Sequence, residues 1–197
     1  TSATFTIAPP VPTAMAASDG TSTSQVSLSW SGVPNSPSYY VYRRVNGTTG
    51  DSTIAFTSNT SHNDSNAAPG TRYDYWVVAR VNNVNSAPST VNSGYVNLVT
   101  PTVSGASGST SAIGISWGQI SGAERIDVWR STQPSSGYTD IANASGSATG
   151  YSDTSATPGQ IYYYKVSAYS AVTGSTALSS NNASAHRTLL APTGFSA

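Results

Sequence analysis

The chain has 197 residues, eight Lys+Arg against eight Asp+Glu, and only 8% charged residues, against about 25% in an average protein. Zero net charge argues against nucleic acid or an anionic membrane as the main partner, since both need a basic surface. Cysteine is absent, which excludes a disulfide-stapled sandwich, a zinc ribbon and a thiol nucleophile.

In chain order, residues 1–8 read as the last strand of a preceding repeat, or a tail. A strand follows at Val26–Trp30, where Val26, Leu28 and Trp30 point one way and Ser27 and Ser29 the other. In the next, Tyr39 and Val41 point inward and Tyr40 and Tyr42 outward. Asp64 precedes a Pro69-Gly70 turn, in which proline sets φ and glycine supplies a permissive backbone. A long strand then presents Tyr73, Tyr75, Val77 and Ala79 on one face and Asp74, Trp76, Val78 and Arg80 on the other.

The same text then recurs. "VSLSW" (Val26–Trp30) returns as "IGISW" (Ile113–Trp117), and "YVYRR" (Tyr40–Arg44) as "DVWRS" (Asp127–Ser131). Asp64 to Pro69-Gly70 returns as Asp153 to Pro158-Gly159, and "PGTRYDYWVVA" (Pro69–Ala79) as "PGQIYYYKVSA" (Pro158–Ala168). Pro12-Thr13 recurs at Pro101-Thr102 and at Pro192-Thr193, a period of roughly 90 residues, the length of a small all-β domain. We expect one domain over residues 9–99, a second over 100–190, and the start of a further repeat at 191–197. The chain reads as an excerpt from an array of at least three repeats. No segment holds a helical period, and no run of 18 apolar residues is present to span a membrane.

A tryptophan in the second strand, a Y-x-V-Y-R-like third strand, and then D-x-x-x-x-P-G-x-x-Y-x-Y-x-V-x-A together resemble fibronectin type III domains. The resemblance covers residues 9–190. It implies two seven-stranded Greek-key β-sandwiches of the immunoglobulin-like kind without a disulfide. In that scheme Trp30 and Trp117 are core tryptophans. Tyr73 and Tyr162 are corner tyrosines whose hydroxyls bond back to upstream backbone. The family often places a Leu a few residues before the Pro-Gly. Asn66 and Ser155 stand there, which predicts a thinner core beneath the turn. The Ser/Thr/Asn-rich style resembles bacterial secreted proteins.

Catalysis has no evident basis. His62 lies in what reads as a polar loop beside Asp64, His186 is not its equivalent, and no G-x-S-x-G elbow occurs. Glu124 is the only Glu. Asp64 and Asp153 hold equivalent places, as turn-capping residues do. No calcium loop or acidic cluster marks the junction near Leu98–Pro101, and no cofactor is implied. Sequons such as Asn46-Gly47-Thr48 and Asn59-Thr60-Ser61 are expected in so polar a chain.

Recognition has one candidate. Tyr40, Tyr42 and Trp76 should share an open sheet face, with Arg43 or Arg44 and Arg80 nearby. Exposed aromatics of this kind stack sugars or anchor a protein. They also stiffen a sheet by pairing across strands. The second repeat keeps Trp129 and Tyr163 but has Lys165 in place of Trp76.

We expect a monomeric, non-catalytic spacer from an extracellular or cell-surface protein. Its partners would be neighbouring repeats, with a polysaccharide or cell-surface protein as the alternative ligand. Pro101 in the linker should limit interdomain bending.

Overall fold

A computed structural model describes residues 7–35 and 38–191. The expected strands in 1–8 and 191–197 lie outside these residues, but for Ile7, Ala8 and Ala191. The chain forms two compact units that divide between Asn97 and Leu98.

The first unit has β1 (Thr13–Ala17), β2 (Val26–Ser31), β3 (Ser38–Val45), β4 (Ser52–Thr57), β5 (Ser61–Asp64), β6 (Arg72–Val81), β7 (Val84–Asn85) and β8 (Asn92–Tyr95). One sheet runs β1-β2-β5. The other runs β4-β3-β6, and β7 and β8 both pair with β6, as two halves of one final strand. The second unit repeats this plan with β9 (Val103–Gly108), β10 (Ile113–Trp117), β11 (Arg125–Ser131), β12 (Thr139–Ser145), β13 (Gly150–Asp153), β14 (Ile161–Ser170), β15 (Gly174–Ser175) and β16 (Ala183–His186). Its sheets are β13-β10-β9 and β12-β11-β14, with β15 and β16 both on β14. Each unit is thus a seven-stranded Greek-key sandwich. His62, expected in a loop, lies in β5 opposite Leu28.

Alternation in the sequence becomes two faces. Val26, Leu28, Trp30, Tyr39, Val41, Tyr75, Val77 and Ala79 fill the first core. Ile113, Ile115, Trp117, Ile126, Val128, Tyr164, Val166 and Ala168 fill the second. Beneath the Pro-Gly turn it is Ala67 and Ala156 that enter the cores, one residue on from Asn66 and Ser155. Gly70 (φ 70) and Gly159 (φ 80) take the left-handed third position of a type II turn. Thr71 N–H donates to Ala68 O, and Gln160 N–H to Thr157 O, to close them.

The split final strand keeps its hydrogen bonds through serine and threonine. Ser86 and Ser89 N–H groups donate to Ala79 O and Val77 O. In return, Ala79 N–H and Val77 N–H donate to the Ser86 and Ser89 hydroxyls rather than to carbonyls. Thr176 and Ser179 do the same for Ala168 and Val166. A buried N–H left unpaired would cost about 1–3 kcal/mol, so these hydroxyls let the strand break without that loss.

The two core tryptophans differ. Trp117 Nε1–H donates to Ala148 O at 2.8 Å, whereas Trp30 Nε1 is buried without a partner. Trp117→Phe should therefore cost its unit about 1–2 kcal/mol more than Trp30→Phe costs the first unit. Denaturant midpoints of the two variants check this; equal losses would contradict the pairing.

Candidate functional site

The outward face of the β4-β3-β6 sheet carries the aromatic set. Register places Tyr42 opposite Trp76, Tyr40 opposite Val78 and Arg44 opposite Asp74. Tyr42 and Trp76 stack with rings 4° from parallel and centroids 5.6 Å apart. The Arg44 guanidinium lies 5.2 Å from the Trp76 ring, and its Nε–H donates to Asp74. Trp76 is left only 7% exposed. The expected open trio is therefore corrected: Trp76 lies on the outward face but is covered, because Arg44 is drawn across it by Asp74.

Arg80 is similarly engaged. It lies 5.5 Å from the Tyr40 ring, and its Nη1–H donates to the Tyr40 hydroxyl at 2.7 Å. The aromatic ring that does meet solvent is Phe56 on β4, 58% exposed, with its centroid 4.7 Å from that of Tyr40. Sequence reading missed it. Strict alternation puts Ile54 and Phe56 on one face, but a bulge opposite Val41 and Tyr42 sends Ile54 into the core and leaves Phe56 outside. The only signal was one aromatic in a Ser/Thr-rich stretch.

Asp74 accepts from Asn46, Ser93 and Arg44. Burial pushes its pKa up, but these hydrogen bonds outweigh burial and hold the carboxyl below its ordinary range. On the second unit's outward face Trp129 pairs in register with Lys165 and donates from Nε1 to the Ser167 hydroxyl. The Lys165 ammonium sits 5.3 Å from the Tyr138 ring.

At the inner end of each β6-type strand lies a repeated cluster. Asp64 Oδ2 accepts from Arg43 at 2.7 Å and from the Tyr75 hydroxyl at 3.0 Å, and Oδ1 accepts from Asn66 N–H. Asp153 accepts in the same way from Arg130 and Tyr164, each at 2.8 Å, and from Ser155. Arg43 and Arg130 each lie 4.6 Å from the ring of Tyr73 or Tyr162. Burial, then the neighbouring carboxylate, pushes the Tyr75 and Tyr164 hydroxyls well above their usual pKa. The two corner tyrosines differ: Ala68 N–H donates to the Tyr73 hydroxyl, while the Tyr162 hydroxyl donates to the Thr157 side chain.

The other ionic groups follow suit. Every arginine stacks on an aromatic ring except Arg187, which donates to the carbonyls of Thr110, Thr154 and Ala156. Asp19, Asp51 and Asp127 pair with Arg72, Arg44 and Arg125. Asp140 accepts from Ala142 and Asn143, and Glu124 from Ala171 N–H. Each charged side chain is thus engaged within its own unit. Among the described residues, no three His, Asp or Glu side chains converge as metal ligands would. His62 and His186 lie in different units.

This arrangement defines a class: paired sandwiches without disulfide, built on a tyrosine corner and a core tryptophan. Solved structures are similar to the chain in fold to differing degrees. A two-domain fibronectin type III segment of chicken tenascin is 16% identical over 89% of this chain and 98% of its own, with a TM-score of 0.63. The FN1 to FN3 domains of chicken contactin are 18% identical over 92% of this chain and 69% of theirs, with a TM-score of 0.41. A Fn3-like protein from Clostridium thermocellum is 31% identical over 46% of this chain and 95% of its own, with a TM-score of 0.42. No family model and no curated protein matches the chain. The chain has the fold of a tandem pair of fibronectin type III domains.

Proposed function

We propose that the chain is a non-catalytic spacer from a repeat array of an extracellular or cell-surface protein. It would hold an adhesive or catalytic module away from its anchor. One observation carries this reading: the Asp, Glu, Arg and Lys side chains of both units are engaged within their own folds, so a surface rich in Ser, Thr, Asn and Gly presents few free charges. Such a surface is solvated but offers little for a charged ligand to grip. A monomer with neighbouring repeats as its partners fits this surface. No helix among the described residues is long and apolar enough to cross a membrane.

The test is replacement in the parent protein. An unrelated pair of β-sandwiches of equal length should preserve the adhesion or turnover of the projected module, and deletion of both units should not. Loss of activity on replacement at equal length would overturn the spacer reading.

Phe56 favours a second reading, a neutral polysaccharide or a cell-surface protein held at the Phe56–Tyr40 edge. Titration of polysaccharides against the chain, followed by Tyr and Trp fluorescence, tests it. Saturable binding lost in Phe56→Ala supports this reading; the absence of any saturable change removes it.

A further inference from the structure

The pairing of the Pro-Gly turns aligns the final strands of the two units residue by residue. Pro69 bridges Val96, and Gly70 N–H donates to Val96 O. Pro158 bridges Arg187, and Gly159 N–H donates to Arg187 O. Val96 and Arg187 therefore hold one place, and two residues on, Leu98 and Leu189 hold another.

The two leucines fare differently. Leu98 is 2% exposed, a member of the second unit's own core beside Val103 and Ile113. Leu189 is 71% exposed, and the next residue, Leu190, is 79% exposed. The side chain of Leu189 lies over the Gly159 backbone, with Cδ2 3.7 Å from where a Cβ would stand. Ile161, 50% exposed, starts β14 on the same turn. The first unit has Arg72 in its place, opposite Tyr95 as Ile161 is opposite His186. Arg72 stacks on Tyr95 and pairs with Asp19. A charged cover in one unit is thus an apolar patch in the other.

We propose that Leu189 is a core residue of a further sandwich of this family, seated there as Leu98 is seated in the second unit. The register argues for it: the chain already shows what buries a leucine at this place. The residues that follow agree in sequence, since Pro192–Ala197 reads PTGFSA against PTVSGA at Pro101–Ala106. The inference rests on the array reading above.

The test appends a copy of residues 107–191 after Ala197, so that Pro192–Ala197 supply the first strand of a third unit. Hydrogen exchange in a segmentally labelled chain reads each unit separately. Leu189→Asn should reduce protection of the appended unit about a hundredfold. Leu98→Asn should do the same to the second unit, and Leu189→Asn in the 197-residue chain should leave both units unchanged. If the appended unit is protected and Leu189→Asn leaves it so, the inference is overturned while the array reading stands. If the appended unit fails to fold with Leu189 intact, the array reading fails and takes the inference with it.

Discussion

Asp153→Ala should cost the second unit about 3 kcal/mol, the lower end of the range for breaking a buried pair. A domain of this size has about 5–15 kcal/mol in all, so the variant gives up a large share of its stability. Asp153 is fully buried and accepts from Arg130, Tyr164 and Ser155. Its removal strands a buried tyrosine hydroxyl and an arginine that reaches solvent only in part, which is why the lower figure applies. Acid should act as the mutation does. Burial raises the Asp153 pKa, but the bonds from Ser155, Arg130 and Tyr164 outweigh burial and hold it below the ordinary value of 3.8. A depressed native pKa stabilises the fold above the unfolded value. That stability is lost as pH falls below 3.8 towards the native pKa. Asp74 is depressed too and gives the first unit the same acid limb. Urea midpoints across acidic pH measure this. Asp153→Asn should flatten the second unit's limb; an unchanged slope would show that Asp153 is not its source.

Gly108→Ala and Gly94→Ala should each destabilise their own unit by about 2–3 kcal/mol. The first and last strands of each sandwich cross at close quarters, and each unit omits one side chain at the crossing. In the first unit the missing side chain is on the last strand: a Cβ on Gly94 would meet Ser18 O at 2.8 Å and Val26 Cγ1 at 2.9 Å. In the second it is on the first strand, where a Cβ on Gly108 would overlap the His186 carbonyl. Main chain cannot swing aside as a flexible side chain can, so the strands must part. Parting them threatens Tyr95 N–H to Ser18 O in one unit and Thr188 N–H to Ser109 O in the other. Thermal unfolding of both variants tests the point. A Gly108→Ala protein as stable as the parent would mean that the crossing has slack.

Much of the fold was legible because its signals are local. Trp30, Leu28 and Val26 alternate with serine, and alternation alone assigns them to one face. Pro69-Gly70 and Pro158-Gly159 state their turn through φ preferences that belong to the residues themselves. The candidate site was legible only to the level of the face. That Trp76 points outward follows from parity along β6. That it is covered depends on Arg44, which depends on Asp74 across the strand pair. Phe56 escaped because a single bulged residue reverses parity, and a bulge answers to packing of Ile54 and Ile141 rather than to the chain's own pattern.

The division runs along the range of the forces. By itself the sequence determined a tandem of all-β domains, their period, their turns and the inward set of each strand, since these depend on backbone preference and period-two burial within a few residues. Only the tertiary structure decided what became of the polar groups. Arg43 and Asp64 are 21 positions apart, Arg44 and Asp74 30, and Arg80 and Tyr40 40. Charges buried on folding must find partners wherever the sheet brings them. That search left Trp76 covered by Arg44.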